Sequence, residues 1–112
     1  MSTNAYGAPM SFVDRLALLT NAESLYQAAK RADSFVCVRA VIGEVTGDDG
    51  EIRDVAYFQA KSGTWYRSSA NIPLAVARAL IASDDAPEFV TLTPGVATSR
   101  SGREYTTLSV GE

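Results

Sequence analysis

The sequence predicts an α+β domain: a small curled antiparallel sheet or barrel of five strands, with an N-terminal helical segment and one helix between strands three and four. Three observations carry this. Residues 11–32 hold apolar side chains at helical spacing. Residues 35–69 are Val-, Ile- and aromatic-rich runs broken by short Gly turns. Residues 71–83 return to helical spacing before two or three further strand-like runs end the chain. With 112 residues, 46% hydrophobic and 21% charged, the chain suits one core and is too apolar for a disordered one.

The start, Met1 to Met10, has no basic end followed by an apolar core, so it reads as a flexible leader and not as a signal peptide. Residues 11–112 then form one domain. Ser11-Phe12-Val13-Asp14 and Thr20-Asn21-Ala22-Glu23 each set a hydroxyl three residues before a carboxylate, the spacing of a helix start, so 11–32 is helical in one or two pieces. Phe35 to Thr46 is apolar on both faces, as in a strand covered on both sides, and Gly43 marks a bulge or bend. Ile52–Lys61 and Thr64–Ser69 follow as strands two and three, joined by a two-residue Ser62-Gly63 loop. Pro73 in a first turn and the stripe Ile72, Val76, Ala77, Leu80 and Ile81 predict a helix packed on the sheet. Phe89–Thr93, a Pro94-Gly95 turn, Val96–Arg100 and Tyr105–Val110 complete the chain, with Leu108 and Val110 as core positions.

Two stretches echo each other: Lys61-Ser62-Gly63-Thr64-Trp65-Tyr66 and Arg100-Ser101-Gly102-Arg103-Glu104-Tyr105. Each puts a cation before Ser-Gly and an aromatic three residues beyond the glycine. A two-residue first loop pairs Ala60 with Trp65, Gln59 with Tyr66 and Phe58 with Arg67. One face then carries Ala56, Phe58, Ala60 and Trp65 as core. The other presents Tyr57, Gln59, Lys61, Tyr66 and Ser68 together, cations beside aromatics, which is the surface a nucleic-acid strand needs for phosphate neutralisation and base stacking.

The order of elements is also that of the five-stranded oligonucleotide-binding barrel, the OB-fold. Residues 35–110 resemble an OB-fold single-stranded DNA-binding protein, and Arg100-Ser101-Gly102-Arg103-Glu104-Tyr105-Thr106-Thr107 is similar to the last hairpin of bacterial and phage members. The chain departs from that family in its N-terminal helical segment and in lacking an acidic tail. The resemblance implies single-stranded DNA or RNA as partner. Bases would stack on Tyr57 and Tyr66, and on Trp65 where it is exposed; Lys61, Arg67, Arg100 and Arg103 would meet phosphates, and Gln59 and Tyr105 belong to the same nucleic-acid-binding set.

A net charge of −3 weighs against nucleic acid, but eight of the ten cations are Arg, which favours planar contacts, and the acids gather at Asp48-Asp49-Gly50-Glu51 and Asp84-Asp85 in turns. The chain has no His, so the commonest general base and metal ligand are missing. Its one thiol, Cys37, lies in an apolar run, and Arg39 in the same run is expected to pair with Asp54 or Glu44. No phosphate-cradling Gly loop and no calcium loop is present, so no enzyme, cofactor or metal is expected. No apolar run of ~18 residues occurs, and the expected setting is cytoplasmic without membrane contact. The rival function is a protein–protein module, such as a phage- or plasmid-borne inhibitor or an accessory subunit. A third reading is a homo-oligomer joined through an exposed edge strand.

Overall fold

The computed structural model describes residues 5–7, 20–83 and 87–111. In chain order the elements are β1 (Ala5–Gly7), β2 (Glu23–Ser24), α1 (Leu25–Arg31), β3 (Phe35–Thr46), β4 (Ile52–Ala60), β5 (Trp65–Ser68), α2 (Asn71–Ala82), β6 (Val90–Thr98) and β7 (Glu104–Gly111). The strands form one curled mixed sheet in the order β2-β5-β4-β3-β6-β7, with β1 paired to β3 off this path. The class is therefore α+β with a barrel-like sheet, but the described residues form seven strands and not five. The two additions are short. Ala5–Gly7 belongs to the expected leader, yet it pairs antiparallel with Arg39–Val41 and buries Tyr6, whose hydroxyl donates to the Pro87 carbonyl. Glu23–Ser24 lies in the expected helix, yet it pairs in parallel with Tyr66–Arg67, so helix resumes only at Leu25. The expected helix start at Ser11 and the turn at Asp84-Asp85 lie outside the described residues.

β3 spans the run expected of it and shows why that run is apolar on both faces. Its register against β4 shifts between Cys37 and Arg39, so Val38 is an extra, unpaired residue. A bulge of one residue exchanges the faces of everything beyond it. Cys37 before the bulge and Ala40 after it therefore both enter the core, each fully buried. Gly43 is regularly paired with Val55, and the bend expected there sits at Val38 instead. Gly43 has a different use: a Cβ there would come 3.2 Å from the ring of Tyr57, which packs over it.

The inner face joins Ala40, Ala56, Phe58, Leu92 and Leu108 to Leu25 of α1 and to Leu74, Ala77 and Leu80 of α2. The buried stripe of α2 is thus rotated from the expected one, leaving Ile72 at the surface. Val55, Tyr57 and Trp65 form a second buried cluster, with Ala22 and Val41 against it. β4 is consequently buried on both faces from Val55 to Ala60.

β6 runs unbroken through Pro94-Gly95, where a turn was expected. Counting from the Ser99 N–H···O=C Arg103 bond at 2.8 Å, Pro94 opposite Leu108 is a non-hydrogen-bonded position, so its missing N–H faces away from β7. On its other side β3 ends at Phe35, opposite Leu92, so no strand there calls for a donor, although Pro94 itself is buried. Val110, expected in the core, is 51% exposed near the end of this outer strand.

Candidate nucleic-acid interface

All three hairpins turn through the same loop. Gly47, Ala60 and Ser99 each donate an N–H to the carbonyl four residues on, at 2.8 Å, enclosing Asp48-Asp49-Gly50, Lys61-Ser62-Gly63 and Arg100-Ser101-Gly102. The closing glycines have φ of 80, 99 and 85°, the left-handed residue of a three-residue hairpin loop. A Cβ would meet nothing within 4 Å at any of them, so backbone conformation and not space demands glycine.

The loop is one residue longer than expected, and that residue reverses the face assignment. Gln59 pairs with Trp65, Phe58 with Tyr66 and Tyr57 with Arg67. Trp65 joins Tyr57 on the outer face, and Tyr66 turns to the Phe58 face. There Tyr66 stacks on Phe35 with ring centroids 4.6 Å apart and an interplanar angle of 30°. Its phenol pKa is raised, chiefly by burial and then by Glu23. Tyr57 is 8%, Trp65 3% and Gln59 9% exposed, so none of the three offers an open platform. Gln59 accepts from Arg39 Nη1 at 2.9 Å and donates to the Gly63 carbonyl at 3.4 Å, bracing the loop. The expected Arg39 ion pair with Asp54 or Glu44 is not formed: Arg39 donates to Gln59, and Asp54 accepts from Arg78 at 2.7 Å.

Lys61, Arg67, Arg100 and Arg103 remain exposed, and among the described residues none of them makes an ion pair. The topology sets three of these cations at one end. Lys61 N–H donates to the Val36 carbonyl at 2.7 Å, at the start of β3. β6 passes Phe35 at Leu92 and continues beyond it to the Arg100–Arg103 loop. The acidic Asp48-Asp49-Gly50-Glu51 loop lies at the opposite end of β3, and Asp49 and Glu51 hold Arg53 at 3.4 and 3.6 Å. Charge is thus separated along the strand direction. Tyr105, 42% exposed, is the aromatic that stays open beside the basic tips.

A cleft of about 480 Å³ lies between α1, β5 and the start of α2. Tyr57, Arg67 and Ser68, expected at the candidate interface, line it together with Arg53, Ser69, Thr106 and Tyr26, which the sequence does not single out as site residues. Arg67-Ser68-Ser69 directly before a helix was the available signal. Tyr26 donates its hydroxyl to Glu104 at 2.5 Å and lies under Lys30 Nζ, 4.8 Å from the ring centroid. The hydrogen bond to Glu104 raises its pKa. Cys37 is the described thiol; burial pushes it up to about 12, so it is no nucleophile near neutrality. No group of three His, Cys, Asp or Glu side chains converges among the described residues, and no described helix is long and apolar enough to cross a membrane.

Comparison of the chain with protein-family models, with curated protein sequences and with solved structures finds no match.

Proposed function

We propose that this protein binds single-stranded nucleic acid, DNA or RNA, through its two basic hairpin tips rather than through the strand face between them. The observation that carries the reading is that Lys61, Arg100 and Arg103, none of them in an ion pair among the described residues, lie on hairpin tips that both point away from the acidic loop. Exposed cations without partners neutralise phosphates at little cost in lost ion pairs. Tyr105 beside them supplies one stacking surface. A cytoplasmic, non-enzymatic role belongs to the same reading.

The connectivity supports an OB-like core. β3, β4 and β5 meander, α2 crosses, β6 pairs with the first residues of β3, and β7 lies outside β6. Closing such a sheet would need β7 to pair with β5, and β2 occupies that edge instead. The test is fluorescence anisotropy of labelled oligothymidylate at several salt concentrations. Three phosphate contacts give a slope of log K against log salt of about −2 for a single strand, and Arg100→Ala with Arg103→Ala reduces it by about 1.4. Absence of binding at low salt and micromolar protein overturns the reading.

An apolar groove of about 590 Å³ favours the rival protein–protein reading. Ile72, Val76 and Ala79 of α2 line it with Val90 and Val110. Failure of the strand titration would move the weight there.

A further inference from the structure

β7 is a long open edge of the sheet. Among the described residues only β6 pairs with it, along the whole of Glu104–Gly111 and without a bulge. The edge at the other end of the sheet is β2, whose two residues are too few to template another strand. β7 also lacks the usual guards of an edge: it holds no Pro, no Lys or Arg, and a single charge at Glu104.

An antiparallel ladder alternates, so the groups that point off the sheet can be named. Ser99 N–H donates to the Arg103 carbonyl, and counting on from there Tyr105, Thr107, Ser109 and Gly111 are the residues bonded to β6. The N–H and C=O groups of Glu104, Thr106, Leu108 and Val110 therefore face outward, and among the described residues they meet no hydrogen-bond partner. Tyr26 reaches only the Glu104 carboxylate and leaves its backbone open. A row of alternate open N–H and C=O groups is matched by another extended strand.

The strand that fits it best is β7 itself. About a two-fold axis at Thr107, Glu104 falls opposite Val110 of a second copy and Thr106 opposite its Leu108, each a hydrogen-bonded pair. Every outward N–H and C=O of both strands then has a partner. A slip of two residues either way leaves Glu104 or Val110 unpaired within the strand. The same register sets the one carboxylate of each strand at opposite ends, so no like charges meet, and Thr107 faces Thr107 on the axis. Thr106 and Leu108, buried on the inner face, lie opposite each other across the joint, so the two inner faces run on into one another. Val110 and Tyr105, exposed on the free strand, gain Glu104 and Ser109 of the second copy as cross-strand neighbours.

We propose that two copies of this chain join edge to edge through β7, antiparallel about a two-fold axis at Thr107, so that two sheets become one. The Arg100–Arg103 loop lies before Glu104, outside the paired residues, and the two copies of it sit at opposite ends of the joint. Both basic tips stay uncovered. The joint uses main-chain groups of β7 and none of the cations, so it stands or falls separately from the nucleic-acid reading.

Sedimentation velocity of the full chain, from micromolar to hundreds of micromolar, tests it. The expected result is a mass that rises with concentration from 11.9 kDa towards twice that value. Val110→Pro removes an outward N–H and no bond to β6, so it weakens the dimer about tenfold or more while the circular dichroism of the fold is kept. Thr107→Cys reads the register. Non-hydrogen-bonded partners lie about 4.5 Å apart at Cα, within disulfide reach, so two copies of this variant link on mild oxidation. Cys37 is buried and does not compete. Tyr105→Cys, opposite Ser109 of the second copy, stays unlinked. A monomer at every concentration overturns the proposal. So does a dimer that Val110→Pro leaves at full strength, which would be joined through another surface such as the apolar groove beside α2, or one that Thr107→Cys does not link.

Discussion

Lys61-Ser62-Gly63 and Arg100-Ser101-Gly102 are the same loop on two hairpins, each followed at the same distance by a tyrosine, and the two tyrosines meet opposite fates. The β4–β5 hairpin sits inside the sheet, between β3 and β2, and its flanking aromatics are drawn into two cores: Tyr66 onto Phe35 on one face, Trp65 beside Tyr57 on the other. The β6–β7 hairpin lies at the outer side of the sheet, and past Leu92 it has left β3 behind. Tyr105 there stays 42% exposed. A local motif specifies a turn. Whether its side chains stabilise the fold or face a partner depends on how many neighbours the sheet provides.

Truncating the aromatics breaks that comparison most sharply if it is wrong. Trp65→Ala is expected to cost about 3–5 kcal/mol, the range for a buried large aromatic, whereas Tyr105→Ala should stay within about 0.5 kcal/mol. Urea unfolding measures both, and equal losses would mean that the two hairpins are equally embedded.

Glycine replacement tests what the hairpins share. Gly63→Ala and Gly102→Ala should each destabilise by about 1–2 kcal/mol, since both hold positive φ with open space around them. A large difference between them would place a tertiary contact at one loop.

The inner hairpin also carries a pH signature. Cys37, paired with Ala60, has its pKa raised to about 12 from an ordinary 9.0. The unfolded thiol therefore ionises first as pH rises. The stability this gives is complete below about pH 9 and is lost as pH climbs towards 12. Tyr6 and Tyr66, raised by burial, act with the same sign at higher pH. Urea midpoints on either side of pH 9 should fall, and Cys37→Ala should flatten the first part of the fall. Alkylation of Cys37 in the native protein should be slow and should track unfolding.

The smallest effect concerns the helix that crosses the sheet. Asp54→Asn removes the partner of Arg78, an exposed pair at 2.7 Å worth about 0.2–1 kcal/mol, and the loss should shrink with added salt.

Much of the chain was legible one residue at a time. β3 occupies Phe35–Thr46 as its apolar run requires, and α2 begins at Asn71 with Pro73 in its first turn, where a missing N–H does no harm. The cations on the loops and the acids of the 48–51 turn are also sequence facts. What was misread turned on single residues with non-local consequences. Ser-Gly reads equally as the whole of a two-residue loop or the end of a three-residue one, and the difference exchanges Trp65 with Tyr66 between faces. Pro94-Gly95 reads as a turn unless the chain is known to run on past the end of β3, where no strand asks Pro94 for a donor.

By itself, then, the sequence determined the order of the core elements, the places of the three Gly-closed hairpin loops and the basic character of two of them, because these depend on neighbours a few residues away. The tertiary structure alone decided the faces, the buried Tyr57 and Trp65, the recruitment of Ala5–Gly7 and Glu23–Ser24 as strands, and the meeting of Arg67, Thr106 and the start of α2 around one cleft. Those depend on register and on contacts between distant parts of the chain, and a one-residue shift in either is invisible to local propensity.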